Sequence, residues 1–172
     1  VARKNFRNTN EEGIRMSDDK KPEQNGRWED LPTWDASALA PGVHKRIVFG
    51  PGGVNQGGDV VVRHFVLPPG EKIPPHRHDW DHLVLSVGGH GRLVVEGEIQ
   101  DLSAGRYGRV PPGVEHVFEN PGEEDFVFFC IVPVGGDPHA KKIAMRAQRA
   151  ARKAALAEAG EATEGAEEEE EA

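Results

Sequence analysis

Six of the eight histidines fall between His64 and His116, and two short runs hold the four whose spacing could build a metal site. In the first run, Gly70 to His82, the string His76-Arg77-His78-Asp79-Trp80-Asp81-His82 carries three of them. Alternate side chains of an extended chain share a face, so His76 and His78 project together and His82 returns to that face two pleats later. The second run, Gly105 to Asn120, sets His116 just after the tight turn Pro111-Pro112-Gly113, where a hairpin can present it to another strand. Neutral imidazole is the commonest protein ligand for Zn, Cu, Fe and Ni, and a cluster without thiolate does not match the closed zinc sites built on cysteine. Calcium and magnesium want oxygen ligands. The expected chemistry is therefore that of one divalent transition metal held by His76, His78, His82 and His116. Asp81 competes with His82 as fourth ligand: a regular strand turns it to the opposite face, but a bulge near Trp80 would reverse the choice. Asp79 and Asp81 otherwise read as surface carboxylates or as partners that orient an imidazole N–H.

Other polar residues carry weaker signals. Trp80 reads as packing, with a pocket wall as its functional alternative. Glu115, Tyr107 and His64 are the available acid or base candidates. His64 and Arg63 stand on opposite faces of an apolar strand, and the one that faces the interior is the one positioned near a substrate; the alternation does not say which. His44, His90 and His139 read as solvated. Four imidazoles with ordinary values near 6.5 would compete with protons, so metal affinity is expected to fall by roughly two or three decades per pH unit on acidification.

The elements that must position these residues read as all-β. Strands are predicted over Lys45 to Phe49, Asp59 to Leu67, His82 to Val87, Arg92 to Glu96, Gly108 to Val110, Glu115 to Phe118 and Phe126 to Val132, separated by Gly/Pro turns such as Pro68-Pro69-Gly70 and Asn120-Pro121-Gly122. Short strands at such spacing predict a barrel or sandwich over residues 27–138. Residues 1–26 are polar and unpatterned, as a disordered lead-in would be. Within them Met16 opens MSDDKK, which reads as an ordinary start, with Val1 to Arg15 as an upstream extension. Residues 139–172 change composition: an alanine-rich basic helix with six Lys/Arg gives way to a glutamate-rich end. Ile143, Met145 and Leu156 make no continuous stripe, so deleting everything after Pro138 is expected to leave the fold intact.

The net charge of −8 is concentrated in the barrel, where residues 27–139 hold 9 Lys/Arg against 16 Asp/Glu. Such a surface repels phosphate backbones and anionic lipid, which argues against nucleic acid and membrane as partners. No apolar stretch reaches the roughly 18 residues of a membrane span, and the N-terminus lacks the apolar core of a secretory signal. The single cysteine, Cys130, lies in the apolar run Phe126 to Val132 and reads as a buried, inert thiol. A cytoplasmic protein is the expectation.

The two histidine runs resemble the paired motifs of the cupin superfamily, G-x5-H-x-H-x3,4-E-x6-G and G-x5-P-x-G-x2-H-x3-N. The second matches at Gly105, Pro111, Gly113, His116 and Asn120; the first matches at Gly70, His76, His78 and Gly89, with His82 in place of the usual glutamate. The local string is similar to that of small single-domain cupins that hold manganese or a related metal through four histidines. The resemblance implies a double-sheet jelly-roll barrel of six to eight strands, a divalent ion (Mn, Fe, Ni, Cu or Zn) and a homodimer, with Trp28 to Ala40 packing on the neighbouring subunit. For function it implies a metal-dependent oxidoreductase, dioxygenase-like, acting on a small-molecule substrate. The alternatives are a non-catalytic metal or ligand-binding module and a redox-neutral lyase or isomerase.

Overall fold

The computed structural model describes residues 26–54 and 58–170. Among the described residues ten strands form two antiparallel sheets. In chain order they are β1 (Trp34–Asp35), β2 (His44–Phe49), β3 (Val60–Leu67), β4 (Lys72–His76), β5 (His82–Gly88), β6 (Arg92–Val95), β7 (Glu98–Asp101), β8 (Tyr107–Val110), β9 (His116–Glu119) and β10 (Phe126–Pro133). One sheet runs β1-β2-β3-β10-β5-β8 and the other β4-β9-β6-β7. The chain is thus the expected jelly-roll barrel, with more strands than the six to eight anticipated.

The three unanticipated strands have identifiable causes. β4 contains Pro74 and Pro75, which cannot donate to a ladder; it pairs with β9 only through a register shift between Ile73 and His76. β7 is exposed along its whole length and Ile99 is its one apolar residue, so no hydrophobic alternation marks it. It is held as a hairpin to β6 across Glu96 and Gly97, both at positive φ (49° and 86°), which matches the twist of the flanking strands. β1 is only two residues long.

Alternation does decide the core. Along β5 the inward residues His82, Val84 and Ser86 are buried while Leu83, Leu85 and Val87 face out. Phe65, Phe118, Phe126 and Phe128 stack between the sheets, with ring centroids 4.6–5.4 Å apart. The arm that precedes β2 packs on its own barrel. Ala36 and Ala40 enter the core, and Trp28 lies against His64 and Phe129 on the outer face of β3 and β10.

Past β10, after a 3-10 turn at Val134–Gly136, an α-helix, α1, spans Pro138–Glu170. Its first turn is part of the barrel, contrary to the expectation that nothing after Pro138 docks. Ala140 is fully buried in a cluster with Ile47, Val61 and Val132, and Ile143 is half-buried. Asp137 caps this turn, its Oδ1 accepting from the amides of His139 and Ala140 at 3.0 Å each. From Met145 to Leu156 the helix is exposed. A chain ending at Pro138 should therefore melt at least about 5 °C below full length, whereas one ending at Arg146 should melt within about 2 °C of it. Equal melting of the two truncations by circular dichroism would count against a docked first turn. The lead-in and the Met16 start lie outside the described residues.

Candidate metal centre

The four histidines reach one point from two sheets. His76 ends β4 and stands opposite His116, which opens β9 in the same sheet. His82 opens β5 in the other sheet, and His78 lies on the connection between them. Convergence does not come from alternation along one extended strand, because the chain leaves its sheet after His76 and crosses to the other before His82. One ring nitrogen from each of the four lies within 4.8 Å of the others, with His82 and His116 buried and His76 and His78 half-buried.

The outward nitrogens show which tautomers the site selects. Nδ1 of His76 lies 2.8 Å from the Pro74 carbonyl, Nδ1 of His78 lies 2.9 Å from that of Trp80, and Nδ1 of His116 lies 3.0 Å from that of Val114. A carbonyl only accepts, so in each ring Nδ1 carries the proton and Nε2 presents a lone pair. His82 is reversed: its Nδ1 points inward, 3.4 Å from the Nε2 atoms of both His78 and His116. Three of these rings present lone pairs, and a cation among them would make Nδ1 of His82 the fourth donor, whereas without one its N–H can donate to His78 or His116. Two nitrogens bound at about 2.1 Å to one ion stand roughly 3.0–3.4 Å apart, so this donor set fits a divalent transition metal. Trp80 stacks on His78 with centroids 4.4 Å apart and an 8° interplanar angle, and its other edge crowds Gly136, so it both packs and fixes one imidazole plane.

Asp81, the rival to His82, is exposed and pairs with Arg109 at 2.7 Å; no bulge turns it inward. Glu115 is also exposed and pairs with Arg77, and Tyr107 is 82% exposed. Of the β3 pair, Arg63 is the inward residue. Its Nη2 is 3.5 Å from Nε2 of His82, whereas His64 lies on the outer face between Trp28 and Phe129. His90 is exposed as expected, but His44 and His139 are half-buried, the latter against Trp34.

A buried polar layer beneath the site escaped the sequence reading. Asp137, with no exposed surface, pairs with Lys45 and with Arg63, whose Nη1 is 3.5 Å away. Cys130 Sγ lies 2.8 Å from Nε2 of His82. Two signals were available: Lys45 alternates with the buried Val43 and Ile47, and an Asp-Pro pair opening a helix is a capping signature.

Burial also changes the protonation picture. Loss of hydration, then the Arg63 guanidinium, push His82 down to about 2; burial above all takes His116 to about 4 and lowers His78. His64 falls to about 4 for the same first reason. Imidazoles already neutral bind no competing proton, so metal affinity should fall by no more than about two decades per pH unit from pH 7.5 to 5, less than four free imidazoles would give. The same shifts act on stability. A histidine with a depressed folded value contributes stability that is complete above the unfolded value near 6.5 and is lost as pH falls toward the folded value. Metal-free protein should thus lose urea resistance steadily between about pH 6.5 and 4; a flat midpoint over that window would contradict the burial of these rings.

A family model described as a cupin domain matches residues 63–132, the stretch from Arg63 through all four histidines to β10. That stretch is a cupin domain. Among solved structures, the polyketide cyclase RemF from Streptomyces resistomycificus is 17% identical with a TM-score of 0.57, over 70% of this chain and 98% of that one. A predicted oxalate decarboxylase from Thermotoga maritima is 20% identical with a TM-score of 0.55, over 62% of this chain and 96% of that one. Both likenesses speak for the fold alone. Over 62 residues the chain is 37% identical to the Endoribonuclease YbeY of Myxococcus xanthus, which is 36% of this chain and 21% of that relative, so it spans about a fifth of the relative's length. No helix among the described residues is long and apolar enough to cross a membrane.

Proposed function

We propose that this cupin is a metal-dependent oxidoreductase, dioxygenase-like, acting on a small organic anion at the four-histidine centre. The observation that carries the reading is the set of four converging ring nitrogens without a carboxylate among them. A divalent transition ion held there keeps its full +2 charge and supplies Lewis acidity and, if redox-active, one-electron chemistry toward dioxygen. Beneath it, Lys45 and Arg63 outweigh Asp137 by one positive charge, so the ground under the site favours an anion although the barrel surface is acidic. His76 and His78, the half-buried pair, mark the side from which a small molecule arrives. A redox-neutral lyase or isomerase needs a poised acid or base, yet Glu115, Tyr107 and His64 are all engaged or exposed away from the four rings.

The test is oxygen uptake by Mn- and Fe-loaded protein across a panel of small carboxylates and diketones. Substrate-dependent uptake is the expected result. Equal turnover without oxygen would overturn the oxidative step, and a full metal load with no turnover on the panel would favour a binding module. A homodimer is proposed on a separate ground: Leu83, Leu85 and Val87 form an exposed apolar row on the outer face of β5 beside Tyr107. Sedimentation equilibrium should give twice the chain mass, and Leu85→Glu should give the monomer mass. A cytoplasmic setting accords with the one buried, unpaired thiol.

A further inference from the structure

The reversed ring of His82 requires something that the other three histidines do not. Each of those donates its outer N–H to a backbone carbonyl of its own segment, a partner supplied by local geometry. For His82 to present Nδ1 inward as a lone pair, its Nε2 must carry the proton and must find an acceptor behind the ring. Two side chains approach Nε2 in the hydrogen bonding of this layer: Arg63 at 3.5 Å and Cys130 at 2.8 Å. A guanidinium has donors only and cannot accept, and the Asp137 carboxylate, the nearest anion, is taken up by Lys45, Arg63 and the first turn of α1. The sulfur is the acceptor that remains.

We propose that Cys130 is a positioning residue, its Sγ accepting from Nε2–H of His82 and so holding that ring in the tautomer whose Nδ1 faces the metal. The inference rests on the four-histidine reading given above. Arg63 works against this arrangement, since its Nη2–H, 3.5 Å from Nε2, favours a lone pair there; the closer Sγ at 2.8 Å and a cation at Nδ1 must outweigh that longer contact. The side chain is held in place by Asp137 and by the Phe65 ring, whose centroid lies 5.1 Å from its guanidinium carbon. Cys130 is itself 1% exposed in the packed core. The thiol is therefore not the inert filler that its apolar strand suggested.

Cobalt(II) is the probe, since its ligand-field spectrum reports the donor set without any turnover. Full-length wild type, Cys130→Ser and Cys130→Val would be titrated with Co(II) under argon, and metal-free melting temperatures measured alongside. Valine keeps the volume and removes the acceptor; serine keeps an acceptor. The expected result is a loss of about 10- to 100-fold in affinity and an altered visible spectrum for Cys130→Val, with Cys130→Ser within about 5-fold of wild type. Equal affinity and spectrum in Cys130→Val would overturn the positioning role while leaving the four-histidine site standing. A sulfur-to-cobalt charge-transfer band in wild type would overturn it differently, by making Cys130 a ligand. Should wild type bind no Co(II), both readings fall. A loss shared equally by serine and valine, with matched melting temperatures, would also count against the hydrogen bond, because serine retains it.

Discussion

Asp137→Ala should cost the metal-free barrel about 3–5 kcal/mol, read as a shift of the urea midpoint. Asp137 has no exposed surface and is the shared anion of Lys45 and Arg63, which are themselves 4% and 8% exposed. Burial alone would raise its carboxyl, yet the Lys45 hydrogen bond, the α1 amides and the two nearby cations hold it below the ordinary carboxylate range. Removing the carboxylate strands two buried cations with no replacement and removes a helix cap worth about 1 kcal/mol. Loss of hydration already lowers Lys45, so the lysine can respond by giving up its proton, which Arg63 cannot. Asp137→Asn keeps an oxygen for the cap and should fall between wild type and alanine. A loss below about 1 kcal/mol for Asp137→Ala would mean that solvent reaches the cations and that the layer is not closed.

His82→Ala should weaken divalent metal binding by at least about 100-fold, beyond the 10- to 100-fold typical of partners outside the ligand set, while Asp81→Ala should stay within about 2-fold of wild type. His82 brings the only inward Nδ1 and links the two sheets across the site, being 3.4 Å from Nε2 of both His78 and His116. Asp81 spends its carboxylate on Arg109 at the surface. Isothermal titration with Zn(II) or Mn(II) measures both variants, and the reverse ranking would make Asp81 the ligand. His82→Glu adds a check on electrostatics. A carboxyl in so buried a position is pushed upward and takes up protons in the range where His82, at about 2, binds none. Its metal affinity should therefore depend on pH more steeply than that of wild type, the opposite of what counting imidazoles suggests.

Much of this was legible in the sequence because it depends on local chemistry. His76, His78, His82 and His116 announce a cluster of nitrogen donors that could hold a metal, and Gly/Pro punctuation around short valine-rich runs announces strands and turns. Parity sorted the residues of β5 and β10 into faces without saying which face turns inward: β10 is apolar throughout, and β5 buries His82, Val84 and Ser86 while Leu83, Leu85 and Val87 face out.

What depends on meetings between distant segments was decided by the tertiary structure. Parity could not choose between Arg63 and His64, since both faces of β3 are covered, one by the opposing sheet and the other by Trp28. The pairing of Lys45 with Asp137 joins residues 92 positions apart, and the contact of His82 with Cys130 joins residues 48 apart. No periodicity within one segment encodes either. The same holds for the first turn of α1: a short helical stretch with one alanine and one isoleucine looks solvated by pattern, and becomes core only because Ile47, Val61 and Val132 leave a place for it. Residue types thus set which donors were available, while the packing of two sheets and one helix turn set which ring nitrogen faces the cluster, what lies behind it and how strongly burial keeps it neutral.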